Sequence, residues 1–239
     1  MFSRLGHYFI RRGMSLPTQK KLERYAELLY LRQLLERLKI DVVLDVGGNK
    51  GWYGDQLRAI GFEGVIISFE PITDDAKTIE KKSANDDKWI VINKAVGDTK
   101  ETKEFNIIRH GEQTVMSSLL KSVDIETSDV LNVDVIRLDE LDLAALTGLD
   151  SPRCFLKSDT QGYDMHVWHG TSGMREQIIG LQMEISVLPL YVNEPHFTEA
   201  ISDLENDGMN IVAMNLVGRN GKGFVVQFDC IMCRSDSLD

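Results

Sequence analysis

Val42-Val43-Leu44-Asp45-Val46-Gly47-Gly48-Asn49-Lys50-Gly51 reads as a short apolar strand running straight into a glycine-rich turn. A helical pattern, Trp52, Leu57 and Ile60, follows at once. A second apolar run, Val65-Ile66-Ile67-Ser68-Phe69, ends on Glu70. About 20 residues separate the turn from that acid, the interval at which nucleotide-binding α/β units place a carboxylate that accepts from ribose hydroxyls. Glycines let the backbone turn sharply and approach a ligand closely, because they carry no Cβ. The stretch predicts the front half of a nucleotide-binding α/β unit.

The order of the glycines narrows the ligand. A dinucleotide fingerprint reads G-x-G-x-x-G, with a helix N-terminus aimed at a pyrophosphate. Here the order is Asp45-x-Gly47-x-x-x-Gly51. An acid in that place repels a diphosphate and suits a ligand with a cationic amino-acid end, such as S-adenosylmethionine. No Gly-Lys-Ser/Thr follows the turn, which excludes a P-loop.

A chain of 239 residues suits one α/β domain with a substantial core. No apolar run approaches the roughly 18 residues of a membrane span. The first twelve residues lack the apolar block and cleavage site of a signal peptide. Three cysteines cannot close a disulfide framework, so a reducing, cytoplasmic setting is expected. Residues 1–40 hold nine of the 27 Lys and Arg and three of the 37 acids. That segment is +6 and the remainder 18 − 34 = −16. An acidic body has no broad basic face for phosphates, which argues against a nucleic-acid substrate. The basic N-terminus is either a solvated helix face, the preferred reading, or a peripheral contact with an anionic membrane.

Along the chain, Ser15-Leu16-Pro17 reads as a helix start, and Leu22 to Leu38 recur at helical spacing. Residues 1–40 are thus an N-terminal helical extension to a domain at 41–239. A helix over 73–84 and a third strand, Trp89–Asn93, come next. The latter leads to Lys94-Ala95-Val96-Gly97, small residues against which an adenine ring can lie flat. Two extra extended runs, at 104–108 and 134–138, break strict βαβ alternation. Residues 100–138 therefore read as an insertion carrying substrate contacts, with His110, Ser117 and Ser118 in its polar loop. Cys154–Ser158 is a fourth strand ending at Asp159, and Ile178–Ile185 a fifth containing Glu184. A helix at 196–207 and a β-hairpin close the chain. The expectation is a Rossmann-like, seven-stranded, mostly parallel sheet with its last strand antiparallel and helices on both faces. In such sheets ligands bind beyond the carboxyl ends of the strands, where Asp45, Glu70, Lys94, Asp159 and Glu184 meet. Cys230 and Cys233 lie three apart on a strand and face opposite ways, so they read as core.

Seven blocks then fall in one order: D-V-G-G-N-K-G-W-Y, S-F-E-P, A-V-G-D, S-S-L at 117–119, R-L-D-E-L at 137–141, L-K-S-D-T-Q-G-Y-D at 156–164, and Q-M-E-I-S followed by P-L-Y. Together they resemble the FkbM-type methyltransferases, a branch of the class I S-adenosylmethionine-dependent methyltransferases. The resemblance implies methyl transfer, most often to a hydroxyl oxygen, with sugars, glycans and other small molecules as frequent acceptors. It also implies that Asp45, Gly47, Asn49 and Gly51 hold the methionine end of the cofactor, Glu70 the ribose, and Ala95 with Val96 the adenine. Asp159 would stand near the transferred methyl. Gly48 replaces the commoner alanine, and Gln161 the usual glutamate of K-x-D-x-E-G.

Methyl transfer from a sulfonium mainly needs positioning, and a hydroxyl acceptor benefits from a base or a metal. Asp159 is the first candidate base, Glu184 the second. The two carboxylates could hold Mg²⁺, by analogy with related sugar methyltransferases. His110 is a weaker base candidate, and Tyr53 is placed to reach the cofactor's carboxylate. Two rival readings are an N-methyltransferase and a non-catalytic cofactor-binding module. The first is disfavoured because Asp159-Thr160-Gln161-Gly162 is no Asn/Asp-Pro-Pro-Tyr signature. The second is supported by Gln161.

Overall fold

The computed structural model describes residues 19–109, 111 and 113–237. The helix start at Ser15, the basic residues Arg4, Arg11 and Arg12, and His110 lie outside the described residues.

Strand β1 (Val42–Val46) is buried along its whole length. It pairs in parallel with β2 (Val65–Phe69) on one side and β7 (Cys154–Ser158) on the other. Outward from these lie β3 (Trp89–Ile92) and, beyond β7, β8 (Ile178–Ser186), β10 (Val225–Arg234) and β9 (Met209–Arg219). The order is β3-β2-β1-β7-β8-β10-β9, and β10 runs antiparallel to both neighbours. This is the expected seven-stranded, Rossmann-like sheet with one reversed strand.

Alternation along β1 splits the core in two. Val42, Leu44 and Val46 face a layer containing α4 (Leu143–Thr147), α5 (Asp164–His169) and α6 (Phe197–Asn206). Val43 faces the opposite layer, with α1 (Gln19–Arg37), α2 (Trp52–Ala59) and α3 (Thr73–Ser83). Cys230 belongs to the first layer and Cys233 to the second, so the pair does point to opposite faces. Each fully buried Val, Leu or Phe in these layers contributes roughly 1.5–3 kcal/mol, and that apolar burial surrounds the few buried charges.

The two extra runs are β5 (Glu101–Ile107) and β6 (Asp129–Ile136). They do not join the main sheet; with β4 (Ala95–Val96) they make a separate sheet in the order β4-β6-β5. Its own small core includes Phe105, Leu119 and Tyr163. No described helix is long and apolar enough to cross a membrane.

Candidate active site

Beyond the end of β1 the chain turns at once. Gly47, at φ 75°, passes so close to the next strand end that a Cβ there would lie 2.0 Å from the Asp159 carbonyl oxygen. Asn49 and Gly51 also take left-handed conformations, at φ 45° and 78°, and Gly51 then caps α2. Gly48 fits against Ile79 and Ser68; a Cβ would meet the Ile79 Cδ1 at 3.0 Å. The turn thus sits between the ends of β1, β2 and β7, and two adjoining clefts open on either side of it.

The first cleft has a volume of about 640 Å³. Its walls are largely apolar: Phe69, Ile72, Ala95, Val96, Phe105 and Leu119, with Glu70 among them. One Glu70 oxygen accepts the Asn49 N–H at 2.8 Å and the other the Ile72 N–H at 2.8 Å. Each oxygen keeps a lone pair. Burial pushes this carboxyl up to about 8, against the pull of those two backbone donors. The β5–β6 segment closes the wall: Asn49 Nδ2 donates to Thr114 Oγ1 (3.1 Å), whose hydroxyl donates to Asp75 Oδ2 (2.6 Å). Thr160 also belongs to this lining. A largely apolar slot with a carboxylate in its wall can take an adenosine, and Ala95, Val96 and Glu70 stand together in it.

The second cleft is larger, about 1840 Å³, open and more polar. Gly47, Asn49, Val115 and Asp159 line both clefts. The Asp159 side chain is 44% exposed.

Beneath the turn lies a buried polar rung that sequence reasoning did not assign. In register across the sheet stand Ser68 (β2), Asp45 (β1), Lys157 (β7) and Gln182 (β8). Asp45 is 0% exposed. It accepts from Ser68 Oγ at 2.9 Å and pairs with the Lys157 ammonium at 3.1 Å. That ammonium also donates to the Gly47 carbonyl at 2.9 Å. Burial opposes its charge, yet Asp45 and Asp159 hold the lysine above its ordinary value. Tyr53 Oη donates to Gln182 Oε1 at 3.2 Å, completing the rung. Asp45 lies fully buried beneath the turn, on the same strand face as Val43, and lines neither cleft. A lysine within the otherwise apolar run of residues 154–158 was the available signal; matching it to Asp45 required the register of two strands far apart in sequence.

Gln161 ties the two candidate bases together. Its amide nitrogen donates to Asp159 Oδ1 (2.9 Å) and to Glu184 Oε2 (2.8 Å). The Tyr191 hydroxyl stands 2.8 Å from its Oε1, which orients the amide nitrogen toward the carboxylates. Gln227 supplies Glu184 with a second amide donor at 3.0 Å. Glu184 lines neither large cleft; burial, reinforced by Asp159, pushes its carboxyl well above the usual range. The Gln161 amide donors stand between the two carboxylates, and among the described residues no group of three His, Cys, Asp or Glu converges as a metal site. Gln161→Glu would supply the missing third carboxylate and remove the donors. Its melting temperature is expected to rise with added Mg²⁺, whereas the wild type's should not move.

Ser117 lines the first cleft, and its hydroxyl accepts the Ile108 N–H at 3.1 Å. Ser118 is placed differently from the expectation. It is 1% exposed, and its hydroxyl lies 3.1 Å from the Thr160 carbonyl and 2.7 Å from that of Gln161. It fastens the β5–β6 segment to the loop after β7 and leaves no group for a substrate.

A sequence model of the family described as "Methyltransferase FkbM domain" matches residues 45–209. No curated protein sequence matches the chain. Among solved structures, the magnesium protoporphyrin IX methyltransferase of Synechocystis PCC 6803 with bound SAM is 9% identical, with a TM-score of 0.48 over 98% of this chain and 92% of that one. A precorrin-6y C5,15-methyltransferase from Geobacter metallireducens GS-15 is 10% identical, with a TM-score of 0.42 over 86% of this chain and 88% of that one.

Proposed function

The chain belongs to the FkbM family of S-adenosylmethionine-dependent methyltransferases, and we propose that it methylates a hydroxyl oxygen on a sugar, glycan or other small molecule. The observation that carries this reading is the position of Asp159 where the two clefts meet. One of its oxygens is held by Gln161, and the side chain stays open to solvent. A carboxylate fixed in this way can take the proton of an acceptor hydroxyl. When bound, the cofactor supplies an activated methyl group. The residues of the chain bind it, orient the acceptor and receive the proton. Glu184 acts on Asp159 through Gln161 and is a positioning residue in this scheme. Gln161 does not favour a binding-only module, since its amide orients Asp159 without covering it. The acidic body and the polar second cleft favour a small-molecule or glycan acceptor over nucleic acid.

Glu70 gives the first test. Its two oxygens are expected to accept from both ribose hydroxyls. Charge-assisted hydrogen bonds contribute about 1.5–3 kcal/mol each, so Glu70→Ala should weaken S-adenosylhomocysteine binding on the order of 100-fold in a calorimetric titration. The dependence on pH has a definite sign. Ribose donors favour the ionised carboxylate, so affinity should rise from pH 6 toward about 8 and level off above. The ligand-free protein should show the opposite trend: a folded-state pKa raised above the ordinary value stabilises at low pH, and that contribution is lost as pH climbs through about 8. A wild-type titration showing no binding, with or without Mg²⁺, would remove the cofactor assignment.

A further inference from the structure

The amino-acid end of the cofactor needs partners that the buried Asp45 cannot provide. Tyr53 is committed to Gln182, and the Lys157 ammonium is committed to Asp45 and the Gly47 carbonyl. The second cleft, continuous with the adenosine slot through Gly47 and Asp159, offers two further charged groups from opposite ends of the chain. Arg24 reaches it from α1, and Asp229 from β10. Both lie outside residues 45–209, the span the family model matches. The Arg24 side chain is 46% exposed. It pairs with Glu27 one turn along the same helix (3.1 Å) and hydrogen-bonds Gln56 of α2, which leads the guanidinium to the cleft. Exposed pairs at that spacing are weak and readily exchanged. Asp229 stands behind, beside Gln182, and is also within electrostatic reach of Arg24 and Lys157.

We propose that Arg24 and Asp229 form the subsite for the zwitterionic amino-acid end of the cofactor, Arg24 receiving its carboxylate and Asp229 its ammonium. A planar guanidinium matches a carboxylate in two-point contact, and an opposite charge at the far wall suits the neighbouring ammonium. Burial, together with Asp159, pushes the Asp229 carboxyl up to about 6, so near neutral pH it is largely ionised and can accept from a cation. The α1 helix, on this account, is part of the cofactor site and not only a cover for the sheet.

The proposal rests on the cofactor reading, and the two are separated by a pair of ligands. S-adenosylhomocysteine carries the amino-acid end; 5′-methylthioadenosine lacks it and keeps the adenosine. Both are titrated calorimetrically into the full-length wild type and into R24A, D229N and K50A, Lys50 being another cation of the same cleft. R24A and D229N should each weaken S-adenosylhomocysteine by about tenfold or more, the scale of a lost charge-assisted contact, and leave 5′-methylthioadenosine unchanged. R24K should recover part of the loss. Equal weakening of both ligands, no weakening of either, or a larger effect from K50A than from R24A would overturn the assignment while the cofactor reading stands. If the wild type binds neither ligand, the cofactor reading fails and the subsite falls with it. Melting temperatures of the variants identify any loss that is simply unfolding.

Discussion

Lys157→Met is expected to cost about 3–5 kcal/mol of folding stability, the usual result of removing one partner from a buried ion pair. The replacement fills a similar volume and keeps the apolar stem. What it removes is the ammonium paired with Asp45, a carboxylate that is 0% exposed and that also accepts from the Ser68 hydroxyl. A domain of this size is stable by about 5–15 kcal/mol, so the loss is a large share of the total. Urea denaturation followed by circular dichroism measures the change. The double variant Asp45→Asn, Lys157→Met should recover a large part of the loss, because a neutral amide can keep the bond to Ser68 without a lone charge. A single-variant loss below 1 kcal/mol would show that the pair is hydrated in solution. The same substitution also frees the Gly47 carbonyl, so cofactor binding should weaken even under conditions where the variant is folded.

Asp159→Asn is expected to lower turnover by about 10²–10⁴-fold, the range over which a positioned base contributes, while S-adenosylhomocysteine binds as before. Asparagine keeps the size of the side chain and an oxygen for the Gln161 amide; it cannot take a proton. The loss should therefore appear in kcat, with KM for the cofactor little changed. Glu184→Gln should cost less, since Glu184 touches Asp159 only through Gln161. Single-turnover rates with an acceptor found by screening, sugars first, distinguish the two. Equal losses from the two variants would mean that the pair shares the proton, and an unchanged rate for Asp159→Asn would remove it from the chemistry.

Most of the architecture was legible because it is written in local periodicity. Apolar runs of five residues bounded by turns gave β1, β2 and β7, and the glycine turn after β1 marked where the two clefts open. The grouping of Glu70, Ala95 and Val96 around one cleft was legible for the same reason: each directly follows or ends a recognisable strand. What stayed hidden depends on register. Asp45 was legible as the acid of the motif, but its burial opposite Lys157 was not, because that pairing is set by the β1–β7 register. Lys157 meets Asp45 only through the β1–β7 register, and Arg24 and Asp229 reach the second cleft only once α1 and β10 are folded to the same end of the sheet. The insertion was legible as an interruption of βαβ order. Its contribution was not: Phe105 of the separate three-stranded sheet and Leu119 of the loop between β5 and β6 line the first cleft, and Ser118 fastens that segment to the loop after β7.

The rung that joins Asp45 to Lys157 also constrains how such a chain can diverge. Lys157 replaced alone leaves Asp45 as a solitary ion in the core, so substitutions at the two positions are tolerated best when they occur together. Since the same ammonium fastens the Gly47 carbonyl, drift at these two positions is tied to retention of the ligand-binding turn. The two positions are thus coupled in stability, although 112 positions separate them along the chain.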